Sequence, residues 1–252
     1  MLNSNYAQLL HHAHAHNDYL KKQPLFDALN CGIPSIEIDV FLYRNEVLIS
    51  HTGIGLKYQP SFEVRYLIPL QSIILQHGKV FEDGTPLTLM IDLKNEKAAL
   101  IKQLYELLLP YQALIRTQNN QEAPLIIMLS GNPPLQIIDS LEIPIFSVDG
   151  NTHHLWDEST HDFITRVSMN YRKTFSWRGV GKMTKRDQAK LQELVTQANQ
   201  NNQQLRFWAM PNRKKIWRKF MDYNEVIINV DKYEKFKKFS QSLSSSQSEN
   251  GH

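Results

Sequence analysis

Apolar residues along this chain fall into two recurring patterns: short dense runs, and longer segments with helical spacing. In the run from Ser35 to Tyr43, SIEIDVFLY, Ile36, Ile38 and Val40 share one face and Glu37 and Asp39 the other. That period of two is the signature of a strand. Runs of the same kind begin near residues 9, 87, 125, 143, 164, 205 and 226, and Val47 to His51 reads as a short return strand after the turn Arg44-Asn45-Glu46. Between the runs the spacing predicts helices over 24–30, 64–76, 97–109, 134–140, 184–200, 213–222 and 233–240. Leu100, Leu104, Leu107 and Leu108 line one face of the third, and Pro110 closes it. Thr184 is placed to cap the fifth, with Asp187 three residues on.

Eight mostly continuous apolar strands, separated by helices or by gaps long enough for a crossover, predict a parallel sheet covered by helices. Eight such units in about 240 residues match a single (β/α)8 TIM barrel. The competing arrangement, an open doubly wound sheet, lacks the Gly-rich phosphate loop expected after one of its strands. One domain over residues 1–240 is expected, followed by a polar, low-complexity tail over 241–252 that should be disordered.

Polar residues gather at the strand ends: His16, Glu37 and Asp39, Asp92 and Lys94, Ser130 and Asn132, Asp149, Asn170, Asp231. In a (β/α)8 barrel those ends converge on one mouth, where active sites lie. The densest stretch is His11 to Tyr19, HHAHAHNDY, in which alternation puts His12, His14 and His16 on one face and His16 last, at the loop. A metal-scavenging tract or a hydrogen-bonded core histidine is the alternative for this stretch. Glu37 and Asp39 point the same way, and two buried like charges are costly unless a cation or a proton compensates. Removing either is therefore expected to relieve repulsion in the metal-free protein. With Asp92 they make a set of three carboxylates without cysteine, which suits a hard divalent cation, Mg2+ or Ca2+. A salt-bridge cluster with Lys94 is the other reading of the same residues. His51, ending the return strand, would pair with His16 as an acid–base couple. Trp208, Phe207 and Trp177 are candidates to wall the mouth.

Composition narrows the partners. The chain of 252 residues is 42% apolar and 21% charged with a net charge of +3, an ordinary globular balance that does not argue for nucleic acid. Its one basic cluster, Arg213-Lys214-Lys215 with Arg218-Lys219, reads as the solvated face of a helix. The single Cys31 excludes an intrachain disulfide framework and a thiolate zinc site. No run approaches the ~18 apolar residues of a membrane span. Met1 to Leu10 has neither a basic start nor a long apolar core, so no signal peptide is expected, and cytoplasm and secretion both stay open.

Taken together, His16-Asn17, Glu37-Ile38-Asp39, His51 and Asp92-Leu93-Lys94 resemble the superfamily of glycerophosphodiester phosphodiesterases and phosphatidylinositol-specific phospholipases C. That pattern has His-Arg after the first strand, Glu-x-Asp on the second, a second His shortly after, and Glu-x-Lys on the third. The form His-Asn-Asp-Tyr is similar to a branch of mitochondrial-inheritance-type proteins, as are Pro24-Leu25-Phe26-Asp27-Ala28-Leu29, Leu205-Arg206-Phe207-Trp208-Ala209 and Ile227-Ile228-Asn229-Val230-Asp231. The resemblance implies a metal-dependent phosphodiester hydrolase acting on a glycerophosphodiester or phospholipid-headgroup-like substrate. It implies His16 and His51 as acid and base in an order left open, Glu37, Asp39 and Asp92 as metal ligands, and Asn17, Lys94 and Trp208 at the substrate. Two departures stand out. Asn17 replaces an arginine that contacts phosphate, removing a charge and a bidentate donor, and Asp92 replaces a longer glutamate. A barrel that binds phosphoinositol or glycerophosphate groups without turning them over is the alternative, for which Asn17 argues. Only about 35 residues separate His51 from the third strand, so the insertion typical of glycerophosphodiesterases should be short and the mouth open.

Overall fold

In the computed structural model, which describes residues 9–157 and 162–248, the expected strands close into a barrel. In chain order they are β1 (Ala13–Ala15), β2 (Ser35–Tyr43), β3 (Glu46–Ile49), β4 (Leu87–Leu93), β5 (Leu125–Ser130), β6 (Phe146–Gly150), β7 (Ile164–Asn170), β8 (Gln204–Trp208) and β9 (Val226–Val230). Eight of them run parallel in the order β1-β2-β4-β5-β6-β7-β8-β9, and β1 pairs with both β2 and β9 to close the ring. β3 is the exception: it returns antiparallel along the upper end of β2, with Val40 opposite Ile49, and stays outside the ring. The fold is a (β/α)8 TIM barrel. β1 is shorter than the sequence suggests because His11 and His12 form a turn, tied by the Ala13 amide donating to the Leu10 carbonyl at 2.7 Å.

Helices α1 (Phe26–Asn30), α2 (Ile68–His77), α3 (Lys97–Leu108), α4 (Leu135–Asp139), α5 (Tyr171–Thr174), α6 (Lys185–Gln200), α7 (Lys214–Phe220) and α8 (Tyr233–Ser248) cover the outside. Thr184 caps α6 as its position predicts, accepting from the Asp187 amide at 3.1 Å. α2 is preceded by a π-helical turn, Glu63–Leu67. Pro69, in the first turn of α2, has no N–H to continue an α-helical ladder back into that turn. α7 buries Ile216, Trp217 and Phe220 and turns its basic residues outward, in accord with a solvated helix face. The tail departs from expectation: α8 runs on to Ser248, so the segment from 241 continues a helix instead of being unstructured, while 249–252 lie outside the described residues. No helix among the described residues is long and apolar enough to cross a membrane.

The strands' outward residues, such as Ile36, Ile38 and Val40, are fully buried beneath the helices. The barrel's inside is different, because polar side chains fill much of it. His14, Ser35, Glu37, Asp149, Arg166, Arg206 and Asn229 are all buried. Isolated charges in such a place would cost several kcal/mol each, so they must compensate one another. How they do so defines the floor of the site.

Candidate active site

The barrel's upper end holds a cavity of about 520 Å³. All eight residues singled out from the sequence line it: His16, Asn17, Glu37, Asp39, His51, Asp92, Lys94 and Trp208. Strand register explains the gathering. β2 and β4 pair so that Asp39 stands beside Asp92, and β4 and β5 so that Asp92 stands beside Ser130. Asp149, Ser130 and Asn132 also face the cavity. Asn170 does not join them; it caps α5, accepting from the Arg172 and Lys173 amides. Phe207 is buried in a ring cluster with Phe175 and Phe220 at 5.3 Å each, and Trp177 is buried with its indole donating to the Val180 carbonyl. Of the three aromatic candidates only Trp208, 43% exposed, lines the mouth.

The loop after β1 shows how His-Asn-Asp-Tyr divides its work. His16 Nδ1 lies 2.8 Å from Asp231 Oδ1, and this hydrogen bond raises the imidazole pKa above its ordinary value. Asp231, held in turn by Asn212 at 2.7 Å, fixes the proton on Nδ1 and leaves Nε2 for the cavity. Asn17 adopts a left-handed backbone (φ 49°), which asparagine tolerates well. Asp18 points away from the site. It accepts from the Leu25 amide at 2.6 Å and the Tyr66 and Tyr233 hydroxyls at 2.8 and 3.0 Å, bracing the loop against the surrounding helices. Tyr19 reaches back to donate to Asp39 Oδ2 at 2.7 Å, and His51 Nδ1 lies 2.8 Å from the same hydroxyl. Because that hydroxyl has one proton, the pair is satisfied when His51 Nδ1–H donates to it, which leaves His51 Nε2 unprotonated in the neutral ring.

The carboxylates divide in two. Lys94 bridges Asp92 and Asp39 at 2.5 and 3.0 Å, as the salt-bridge reading of these residues expects. Burial would depress the lysine, but its bonds to Asp92 and Asp39 keep its pKa raised. Burial pushes the Asp39 carboxyl up. Glu37 behaves oppposite in sign: burial alone would raise it, yet the Arg206 guanidinium and His14 hold it well below the usual carboxylate range. Arg206 spans the barrel floor, donating from Nε to Asn229 at 2.7 Å and through its other nitrogens to Asp149 at 3.2 Å and Glu37 Oε2 at 2.5 Å. The expectation that removing Glu37 relieves repulsion is therefore corrected: its charge is matched by a buried cation, and removing it would strand that cation.

One oxygen each of Glu37, Asp39 and Asp92 can be chosen so that all lie within 4.8 Å of one another. Asp39 Oδ1 is buried with no hydrogen-bond partner. A buried carboxylate oxygen left unsatisfied is unusual, and a hard cation held by the three acids would satisfy it. Gly131 lets the β5 loop come close to this group. Its φ is 83°, and a Cβ there would fall 2.3 Å from Asp92 Oδ1.

Arg206, Tyr19, Asp231 and Gly131 are the functional neighbours to which sequence reasoning gave no role. Asp231 was read only as a polar strand end, and Arg206 also carried a readable signal, a charge set between Leu205 and Phe207.

The chain matches the family model described as AIM6-like phosphodiesterase domain over residues 9–144. It is 23% identical over 258 residues to the altered inheritance of mitochondria protein 6 homolog of Arthroderma benhamiae, covering 86% of this chain and 80% of that protein. It is also 23% identical over 274 residues to altered inheritance of mitochondria protein 6 of Eremothecium gossypii, covering 92% and 70%. Among solved structures, a glycerophosphodiester phosphodiesterase from Parabacteroides distasonis superposes with a TM-score of 0.60 at 12% identity, covering 92% of this chain and 97% of that one. One from Agrobacterium tumefaciens gives 0.53 at 10% identity, covering 91% and 97%. At such identities these likenesses speak to the barrel alone. The family match spans more than half of the chain and includes seven of the eight cavity residues expected from the sequence, all but Trp208, and the chain belongs to the AIM6-like phosphodiesterase domain family.

Proposed function

We propose that this protein is a divalent-cation-dependent phosphodiester hydrolase whose substrate is a glycerophosphodiester or a phospholipid headgroup. The observation that carries the reading is the pairing of two histidines at one mouth, His16 oriented by Asp231 and His51 by Tyr19, each with Nε2 free, beside an acid cluster with an orphaned oxygen. A hydroxyl neighbouring the phosphate attacks phosphorus, giving a cyclic phosphate that water then opens. One histidine takes the proton of that hydroxyl through Nε2, and the other protonates the leaving alkoxide. The Asp231 carboxylate stabilises the imidazolium that forms on His16. The Lys94 ammonium offsets charge developing on the phosphate oxygens, a task that falls to it more heavily because Asn17 brings no charge. Glu37, Asp39 and Asp92 would hold the cation, Mg2+ or Ca2+, which when bound supplies charge neutralisation to the phosphate. Trp208 offers an exposed ring to the alcohol portion of the substrate.

A panel of glycerophosphodiesters and phospholipid headgroup diesters, assayed with Mg2+, Ca2+, Mn2+ or EDTA, tests this. Hydrolysis of at least one diester, abolished by EDTA and restored by one of the ions, is the expected outcome. Binding of the diesters without turnover under every ion would reduce the protein to a headgroup-binding barrel.

A further inference from the structure

Three of the nine large apolar side chains exposed among the described residues gather at one place. Leu20, Ile54 and Tyr58 are 60%, 82% and 79% exposed, and all three sit on the two segments that flank His51, the turn after β1 and the loop 51–60. Single exposed apolar residues need no explanation, but several around one opening do. Leu20 and Ile54 line a second cavity, of about 320 Å³, together with Tyr19, His51 and Arg65. His51 thus belongs to both this cavity and the catalytic one.

The loop is built to project. Its ends are tied, the Ile49 amide donating to the Pro60 carbonyl at 2.9 Å and Leu48 bridging Ser61. Between these ties Ile54 stands between two glycines, and a side chain at Gly55 would meet nothing within 4 Å. Apolar side chains as exposed as Ile54 and Tyr58 suit insertion into a soft phase better than reception of a ligand.

Charge specifies the phase. Lys22 and Lys57 are exposed on the same segments and Arg65 on the π-helical turn that follows, and Lys57 Nζ lies 4.7 Å above the Tyr58 ring. Residues 19–26 and 51–62 contain no aspartate or glutamate, and the acids that border them are held in hydrogen bonds, Asp18 accepting from the Leu25 amide, Asp27 from the Gln23 amide and Glu63 from the Tyr111 hydroxyl. Protruding aliphatic and aromatic side chains ringed by cations are what an anionic bilayer surface attracts: the apolar groups enter the acyl boundary, tyrosine sits at headgroup level, and lysine and arginine meet lipid phosphates.

We infer that the loop 51–60 and the Leu20–Lys22 turn dock this protein on an anionic lipid bilayer, with the catalytic mouth beside the headgroup layer. The inference deepens the phosphodiesterase reading by placing its substrate in a membrane, and its test reads binding apart from turnover. The full chain is sedimented with vesicles of phosphatidylcholine alone or with about 30 mol% phosphatidylserine. Binding to the anionic vesicles only is expected. Ile54→Ser with Tyr58→Ser should weaken it by about tenfold or more, and Lys57→Glu with Arg65→Glu should abolish the preference for phosphatidylserine. Both variants should keep the far-ultraviolet dichroism of the parent and its turnover of a soluble short-chain diester. A parent that stays in the supernatant with anionic vesicles overturns the inference even if it hydrolyses the soluble diester. So does a double-serine variant that binds as the parent does. A parent that binds the vesicles but hydrolyses no diester leaves the docking surface standing and removes the phosphodiesterase reading.

Discussion

His14 lies on β1 and His16 one residue past its end, and the two have been put to opposite uses. His14 lies inside the barrel with both ring nitrogens consumed, Nδ1 at 2.8 Å from Ser35 Oγ and Nε2 at 3.0 Å from Glu37. Burial and the nearby Arg206 charge pull its pKa down to about 3. His16, a single turn of pleat higher, opens on the cavity with one nitrogen committed to Asp231 and its pKa raised by that bond. The carboxylates repeat the lesson: Glu37 is matched by the buried Arg206, while Asp39, two residues on, keeps an oxygen without a partner. Side-chain periodicity gives the face of a strand; depth along the strand decides how much of a polar group there is committed to the structure and how much is left for chemistry.

The sharpest way to break the comparison is to exchange its members' losses. His16→Ala should lower turnover on the order of 10²-fold or more with little change in melting temperature, whereas His14→Ala should act mainly on stability. Greater kinetic damage from His14→Ala, measured as kcat at saturating substrate, would mean that the chemistry lies one pleat deeper.

The two carboxylates should separate in the same manner, by stability. Glu37→Gln leaves Arg206 short of a counter-charge and should cost on the order of 3 kcal/mol in urea unfolding. Asp39→Asn should cost little or be stabilising in the cation-free protein, since burial already favours the neutral form of that side chain. Equal losses would show that both acids belong to one structural network.

Acid exposes the difference next. A histidine whose folded pKa is lowered takes up its proton on unfolding, so the unfolded state binds more protons between the ordinary value of 6.5 and about 3. Stability should therefore fall as pH drops through that window, and His14→Gln should flatten the fall. His16 has the opposite sign. Its raised pKa contributes stability that is present below the unfolded value and is lost as pH rises through the folded one. A smaller effect follows at the dyad: Asp231→Asn should move the histidine limb of the pH–rate profile to lower pH. An unmoved limb would show that Asp231 does not set the basicity of His16.

The barrel was legible in the sequence because its strands are continuous apolar runs with regular helical gaps, and the mouth because polar residues such as Asp92 and Lys94 end those runs. The internal network was not. Arg206 meets Glu37 from a strand 169 residues away, and no local pattern couples the two. Asp18 shows the converse: its place in the polar His-Asn-Asp-Tyr loop suggests chemistry, but the loop has to turn sharply and its carboxylate is spent on bracing that turn. Tyr19 was hidden because a tyrosine after a turn reads as packing, and only the fold brings its hydroxyl between Asp39 and His51.

The central claim, that His16 and His51 transfer the protons of a phosphodiester cleavage, is tested most directly by changing the leaving group. His16→Ala and His51→Ala would each be assayed on an alkyl diester, whose leaving alkoxide needs a proton, and on a p-nitrophenyl diester, whose phenolate does not. The variant lacking the general acid should be crippled on the alkyl ester and partly active on the nitrophenyl ester, while the variant lacking the base should fail on both. Equal losses for both variants on both esters would contradict the account, leaving the two histidines as positioning groups with no part in proton transfer.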